Sequence, residues 1–267
     1  MHGLLACILA LPALWGCFAL GYQGPQERML RVAAIVLWAL FSVAMLLALW
    51  RGRTLWAAAA LALAAVVLVL WWQRLLPSND RVWADDVAEM TSGRIDGNTV
   101  QLQHVRDFEW RSASDYTSRW EQRSYDLDRL DSVDMILSYW TIRPIAHVLM
   151  SFGFDDGTQV VFSVEIRPEK HESFSALGGF FKEFELSILA ADERDVIRVR
   201  TNVRGEDDYL YRIRMPRADM RALFVAYVGQ ANQLLQAPRA RSADRSPTFS
   251  ADIRRGVPPL PVLPPSP

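Results

Sequence analysis

The sequence predicts an α+β chain in which three N-terminal transmembrane helices precede one mostly antiparallel sheet domain with a C-terminal helix. Three observations predict it. Charge is excluded from three successive apolar runs near the N-terminus, short segments alternating polar with apolar follow, and one long stripe at helical spacing comes last.

The membrane region is expected over residues 1–75. Its runs Gly3–Gly21, Val32–Trp50 and Thr54–Trp72 are 19 residues each. As helix, such a run is roughly 28 Å long, close to the hydrocarbon thickness of a bilayer. Trp50, Trp56, Trp71 and Trp72 stand at run ends, where amphipathic rings favour the interface. Arg51-Gly52-Arg53 is so short a link that the second and third helices must form a hairpin. The first run has no basic leader, so a retained helix is expected in preference to a cleaved signal.

Charge is distributed unevenly. Residues 1–75 hold one acid, Glu27, and five bases, leaving 29 acids and 24 bases for the rest. This mildly acidic remainder does not suit nucleic acid, which requires clustered positive charge. With the C-terminal domain outside, Arg51 and Arg53 lie in the cytoplasm but Arg28 and Arg31 do not, so the positive-inside bias does not choose an orientation. The predicted location is the bacterial inner membrane, multi-pass, with the bilayer itself the first partner.

Residues 76–238 are read as the soluble domain. Pro77–Asp80 breaks from the membrane, and Ser78 or Asn79 is expected to cap a short helix reaching Glu89. Strands are expected at Thr99–Val105, Arg123–Leu130, Asp134–Trp140, Ile145–Gly153, Gln159–Arg167, Val196–Asn202 and Tyr209–Met215. Pro216 opens a helix whose Met220, Leu223, Phe224, Tyr227, Ala231 and Leu234 make one apolar stripe. Residues 239–267 change character to a proline-rich tail that is expected to be disordered.

Motif chemistry is sparse. Both cysteines, Cys7 and Cys17, fall in the first apolar run. His104, His147 and His171 show no zinc-binding spacing, and there is no Gly-rich phosphate loop, so neither metal nor cofactor is expected.

One turn can be read in detail. Phe154-Asp155-Asp156-Gly157-Thr158 has the form of a three-residue hairpin loop with Gly157 left-handed. That loop pairs Leu149 with Ser163 and sets His147 across from Glu165, close enough for a carboxylate to orient an imidazole. A two-residue loop would put the two side chains on opposite faces. Asp155 and Asp156 are then turn residues, and Asp192-Glu193-Arg194 is either a solvated turn or part of a buried ion-pair network.

Several segments in order carry a wider likeness: Pro77-Ser-Asn-Asp-Arg81, Val105-Arg-Asp-Phe108, Leu137-Ser-Tyr-Trp140, Ala146-His-Val-Leu-Met-Ser-Phe-Gly-Phe-Asp-Asp-Gly157, Ser163-Val-Glu-Ile-Arg167 and Ala191-Asp-Glu-Arg-Asp-Val-Ile-Arg-Val-Arg-Thr-Asn202. Together they resemble the periplasmic domain of the Lnb-type lipoprotein N-acyltransferase family. The resemblance implies a permuted papain-like domain, histidine before cysteine, that moves an acyl chain from a phospholipid to a lipoprotein amine through a thioester. The periplasmic side for the soluble domain comes from this resemblance and not from charge. It places His147 at the family's histidine; Glu165, across from it in the hairpin register, is either the group that orients it or a solvated strand residue.

The likeness stops where such domains continue into a segment containing Asn-Cys-Thr-Thr. Here Ala237-Pro-Arg-Ala-Arg-Ser-Ala-Asp-Arg-Ser246 leads into the proline tail without a cysteine. The expectation is a truncated or frameshifted acyltransferase, inactive as written. The alternative is a membrane-tethered binding or scaffolding domain without chemistry. Acyl donor, acceptor and oligomeric state are not legible.

Overall fold

A computed structural model describes residues 2–52, 54–140, 146–170, 172–173 and 175–240. His171 and the tail from 241 onward lie outside the described residues. The chain divides into two compact units: Met1–Pro77 with Phe174–Glu183, and Ser78–Ser173 with Phe184–Pro267.

The first unit is built on α1 (His2–Gln23), α2 (Arg28–Trp50) and α3 (Thr54–Gln73). Glu27 caps α2 by accepting from the amides of Met29 and Leu30, as a carboxylate at a helix N-terminus should. Gly16 lets helices approach closely, since a Cβ there would fall 2.4 Å from the Trp38 indole nitrogen. That indole donates to the Ala13 carbonyl at 2.8 Å. Leu37, Leu40, Leu63 and Val67 project outward, fully apolar and exposed. Among the described residues two helices, Arg28–Trp50 and Leu55–Gln73, are long and apolar enough to cross a membrane.

The second unit carries the sheet. Its strands are β1 (Ser92–Asp96), β2 (Thr99–Arg106), β3 (Glu109–Trp110), β4 (Tyr116–Thr117), β5 (Trp120–Asp126), β6 (Leu130–Tyr139), β7 (His147–Phe154), β8 (Gln159–Arg167), β9 (Glu185–Ala191) and β10 (Asp207–Arg212). The order is β1-β2-β9-β8-β7-β6-β10, with β5 also on β2 and with β3 and β4 paired separately. Every pairing is antiparallel except β2 with β9. Between β8 and β9 the chain visits the first unit, where Ala176–Phe180 forms α4.

Helix α6 (Arg217–Gln236) covers one face. Its Leu223, Phe224, Tyr227, Ala231 and Leu234 are buried, as the stripe predicts, and with Val228 they pack in one core with Phe152, Phe162, Met150 and Ile188; Met220 is only partly buried. The opposite face presents Ile136, Leu149, Val161 and Leu189, and receives Val196 from α5 (Glu193–Arg198).

Four expectations are corrected. Val196–Asn202 is not a strand: it is α5 followed by a π-helical turn, Val199–Arg204. Asp192 caps that helix through the Arg194 amide, and Asp195, Val196, Val199 and Arg200 are buried at helical spacing. Residues 78–89 hold only a single 3₁₀ turn, Asp85–Val87. The Asn79 amide instead donates to the carbonyls of Leu234 and Leu235 at the end of α6. Residues 127–130, expected to finish a strand, form a 3₁₀ turn, Leu127–Arg129, before β6 starts at Leu130. Finally, Arg239 and Ala240 are not tail: the Leu186 amide donates to the Arg239 carbonyl at 2.8 Å, and Ala240 bridges Glu185.

Candidate functional site

The β7–β8 hairpin sets the register on which the site depends. Leu149 pairs with Ser163, Met150 with Phe162, Phe152 with Val160 and Gly153 with Gln159. The turn is closed by the Phe154 amide to the Thr158 carbonyl at 2.9 Å and the Gly157 amide to the Phe154 carbonyl at 3.0 Å, with Gly157 at φ +83°. This is the three-residue loop the Asp-Asp-Gly sequence predicts. Asp155 and Asp156 serve the turn and pair with Arg129.

Two residues beyond the paired Leu149 and Ser163, the same register brings His147 and Glu165 onto one face. Their side chains meet, Nε2 to Oε1 at 3.2 Å, and are about one-fifth exposed, 20% and 19%. Ser163 completes the contact: its Oγ is 2.7 Å from His147 Nε2 and donates to Glu165 Oε1 at 2.7 Å. Because that hydroxyl proton is given to Glu165, the Ser163 oxygen accepts from an Nε2–H. In the neutral ring this arrangement makes Nδ1 the accepting nitrogen.

Arg200 closes the cluster from the π-helical turn. It is 5% exposed, and its Nη2 donates to Glu165 Oε1 at 2.8 Å. Burial alone would raise the Glu165 carboxyl, but His147, Arg200 and the hydroxyl of Ser163 outweigh it and hold the group well below the usual carboxylate range. Trp140 stands edge-on to the imidazole at 6.4 Å between ring centres.

The row continues across the sheet. Ser138 is paired with His147 on one side and Asp208 on the other, and Ser187 is paired with Glu165. Ser138 donates to Glu206 at 2.5 Å. Burial pushes the neighbouring Asp208 carboxyl up, against the opposing pull of Ser138, Arg200 and His147.

A nucleophile is harder to place. Ser163 touches the imidazole but is 1% exposed, and its proton is directed to a carboxylate instead of to nitrogen. Ser151 is equally buried and donates to Glu193 at 2.5 Å; it lies four strand residues, about 13 Å, from His147. Residues 76–267 contain no cysteine. Among the described residues, no three histidine, cysteine or acidic side chains converge to hold a metal ion.

Asp195, in α5, is a further buried charge. It is inaccessible to solvent and accepts from Arg106 Nε at 2.7 Å and Nη2 at 3.0 Å, the Phe108 amide at 2.9 Å and the Trp110 indole at 2.7 Å. Asp192 pairs with Arg123 at 2.8 Å and with the largely solvated Arg194 at 3.3 Å. The Asp192–Asp195 stretch is therefore a helix start anchored by ion pairs.

Ser163 and Arg200 were not singled out by sequence reasoning. Ser163 could have been, since it lies two residues before Glu165 on the same strand face. Arg200 was hidden by reading its helix as a strand. His104 is half-exposed, and its ring meets the Met90 carbonyl from a bulge in β2.

Residues 116–240 match the family model described as the Lnb N-terminal periplasmic domain. The Lnb-type resemblance read from the sequence is shown by this match, which spans His147, Ser163, Glu165 and Arg200 and ends at Ala240. No curated protein and no solved structure matches the chain. The matched segment therefore covers strands β4 to β10 and α6, and two helices ahead of it have the length and composition of membrane spans.

Proposed function

We propose that residues 78–240 form a periplasmic domain of the lipoprotein N-acyltransferase type, permuted papain-like in architecture and held at the inner membrane by all three N-terminal helices. His147 is its proton-transfer residue and Glu165 its orienting partner. The observation that carries this reading is the commitment of His147 Nε2 to Ser163 and Glu165, which leaves Nδ1 as the basic nitrogen.

In that chemistry a thiol gives its proton to Nδ1 and the thiolate attacks a phospholipid acyl ester. The imidazolium returns the proton to the departing alcohol, leaving a thioester. A lipoprotein amine then takes the acyl group and the thiol is restored. Glu165, ionised beside the ring, stabilises the imidazolium at each stage. The 267 residues supply the proton-handling half only, because Cys7 and Cys17 both belong to α1. By themselves they form no acyl-enzyme.

A second reading, a tethered binding or scaffolding domain that uses the same fold without chemistry, is favoured by the absence of cysteine from residues 76–267. Incubation with radiolabelled phospholipid separates outcomes. No hydroxylamine-sensitive label is expected on this polypeptide; stable thioester labelling would overturn the claim that it carries half a site. A periplasm-active reporter fused after Pro238 and a cytoplasm-active one at Arg51 are expected to work, and the reverse pattern would reject the periplasmic placement.

A further inference from the structure

Residues Ser175–Glu183, which join β8 to β9, belong to the helical unit and not to the sheet unit. Ser175 caps the short helix α4 by accepting from the Gly178 amide at 2.9 Å. The chain then turns so that Phe181, 5% exposed, enters an aromatic cluster of the helices. Its ring stacks on Tyr22 at 5.5 Å and Phe18 at 5.6 Å, and meets Trp72 at 6.1 Å and Trp15 at 6.4 Å.

Two carbonyls and the ammonium of the segment meet the ends of α1 and α3. Gln23 Nε2 donates to the carbonyls of Phe181, at 3.2 Å, and Lys182, at 2.8 Å. Lys182 Nζ donates to the Trp72 carbonyl at 3.1 Å and lies 4.9 Å from the centre of that indole ring. A cation there also suits the negative end of a helix dipole. Non-helical backbone at membrane depth is tolerated only when its amides and carbonyls are met in this way.

The depth follows from the partners. Tyr22, Gln23 and Trp72 are in the last turns of their helices, the level of an aromatic interface belt. Trp15 is seven residues further in, roughly 10 Å along the helix. Leu177 and Phe180, three apart and so on one side of α4, are 57% and 53% exposed beside this cluster. Phe180 packs edge-on against Phe181 at 5.2 Å, and Phe18 of the same cluster is itself 40% exposed.

We propose that Ser175–Glu183 is a lipid-inserting tab: Leu177 and Phe180 sit in the bilayer interface next to α1 and α3, and the β8–β9 connection is a second membrane attachment. This rests on the reading of the helices as membrane spans. Glu165 is ten residues before Ser175 along the chain, so the strand bearing the candidate site is tied to the membrane by a short lead.

The test uses the full chain with Cys7→Ala and Cys17→Ala, reconstituted in phosphatidylethanolamine–phosphatidylglycerol vesicles. Single cysteines at Phe180→Cys, Leu177→Cys, Leu63→Cys and Ser173→Cys carry an environment-sensitive fluorophore, probed with lipids spin-labelled on the acyl chain and with aqueous iodide. Expected at 177, 180 and 63 is blue-shifted emission, quenched at least twofold more by lipid than by iodide, with the opposite at 173. Lipid quenching at 63 with iodide quenching at 177 and 180 overturns the tab and leaves the anchor reading standing. Iodide quenching at 63 overturns both. Protection from both quenchers at 177 and 180 would mean that protein covers the tab, and overturns the lipid assignment. Phe180→Trp, read by its own emission, repeats the measurement without a bulky label.

Discussion

His147 Nε2 and Glu165 Oε1 lie 3.2 Å apart, contributed by adjacent antiparallel strands whose register is set by a single turn at Gly157. The pair is shared with two further groups, since the same carboxylate oxygen accepts from Ser163 and Arg200. Its strength as a unit therefore depends on charge neutrality in a half-buried place.

That dependence is measurable. Glu165→Gln keeps a hydrogen-bond acceptor for Ser163 but leaves the buried Arg200 guanidinium without its counter-charge. A loss of about 3 kcal/mol is expected in denaturant unfolding of the full chain in detergent. Arg200→Met in the Glu165→Gln background should recover part of it, giving a coupling of at least about 1 kcal/mol in the double-mutant cycle. Additive losses would show that the two side chains do not act on each other.

Acid should weaken the domain through the same group. The folded Glu165 carboxyl is held below its ordinary value, so its contribution is complete above the unfolded value of about 4.3. It is lost as pH falls below that value toward the lower folded one. The melting temperature of the parent is expected to drop between about pH 4.5 and 3 more steeply than that of Glu165→Gln. Equal slopes would remove Glu165 from the acid transition.

Asp195 offers a stability test away from the histidine. Asp195→Asn retains the shape but not the charge that four donors converge upon, and leaves Arg106 buried and unpaired. A cost of about 3–5 kcal/mol is expected. The carboxamide keeps one accepting oxygen for two sets of donors, so either the Trp110 indole or the Phe108 amide loses its acceptor, and a tryptophan fluorescence change accompanying the drop in midpoint marks the first.

Gly157→Ala isolates the turn. A Cβ at this position meets nothing within 4 Å, so only the left-handed backbone, φ +83°, resists the change. The expected loss is about 1 kcal/mol, with the histidine ring resonances unmoved in NMR spectra. A shift of those resonances would indicate that the register had slipped.

Much of this architecture is legible along the chain because its causes are local. The Asp-Asp-Gly turn carries the information that places Glu165 opposite His147, and the α6 stripe names the residues that pack on Phe152 and Phe162. Strand β9 was missed although it lies between β2 and β8 in the sheet. Its Glu185-Leu-Ser-Ile-Leu-Ala-Ala191 run is too nearly continuous in apolar character to show the alternation of a half-buried strand. The helix bearing Arg200 was misread because Val196, Ile197 and Val199 are β-branched. Its cap at Asp192 and its buried face outweigh that preference.

What the sequence by itself determined is what short-range physics specifies: uncharged runs of membrane-spanning length, one hairpin register, one amphipathic helix, and the separation of all cysteines from all but the first helix. Only the tertiary structure decided that Arg200 neutralises Glu165 from 35 positions away, that Ser163 meets the imidazole at Nε2, and that Phe181 seats the β8–β9 connection among helical aromatics. The reason is physical. Propensity and periodicity report which surface a segment must bury, whereas the partner it meets is chosen by packing and by the need to satisfy every buried charge and donor at once.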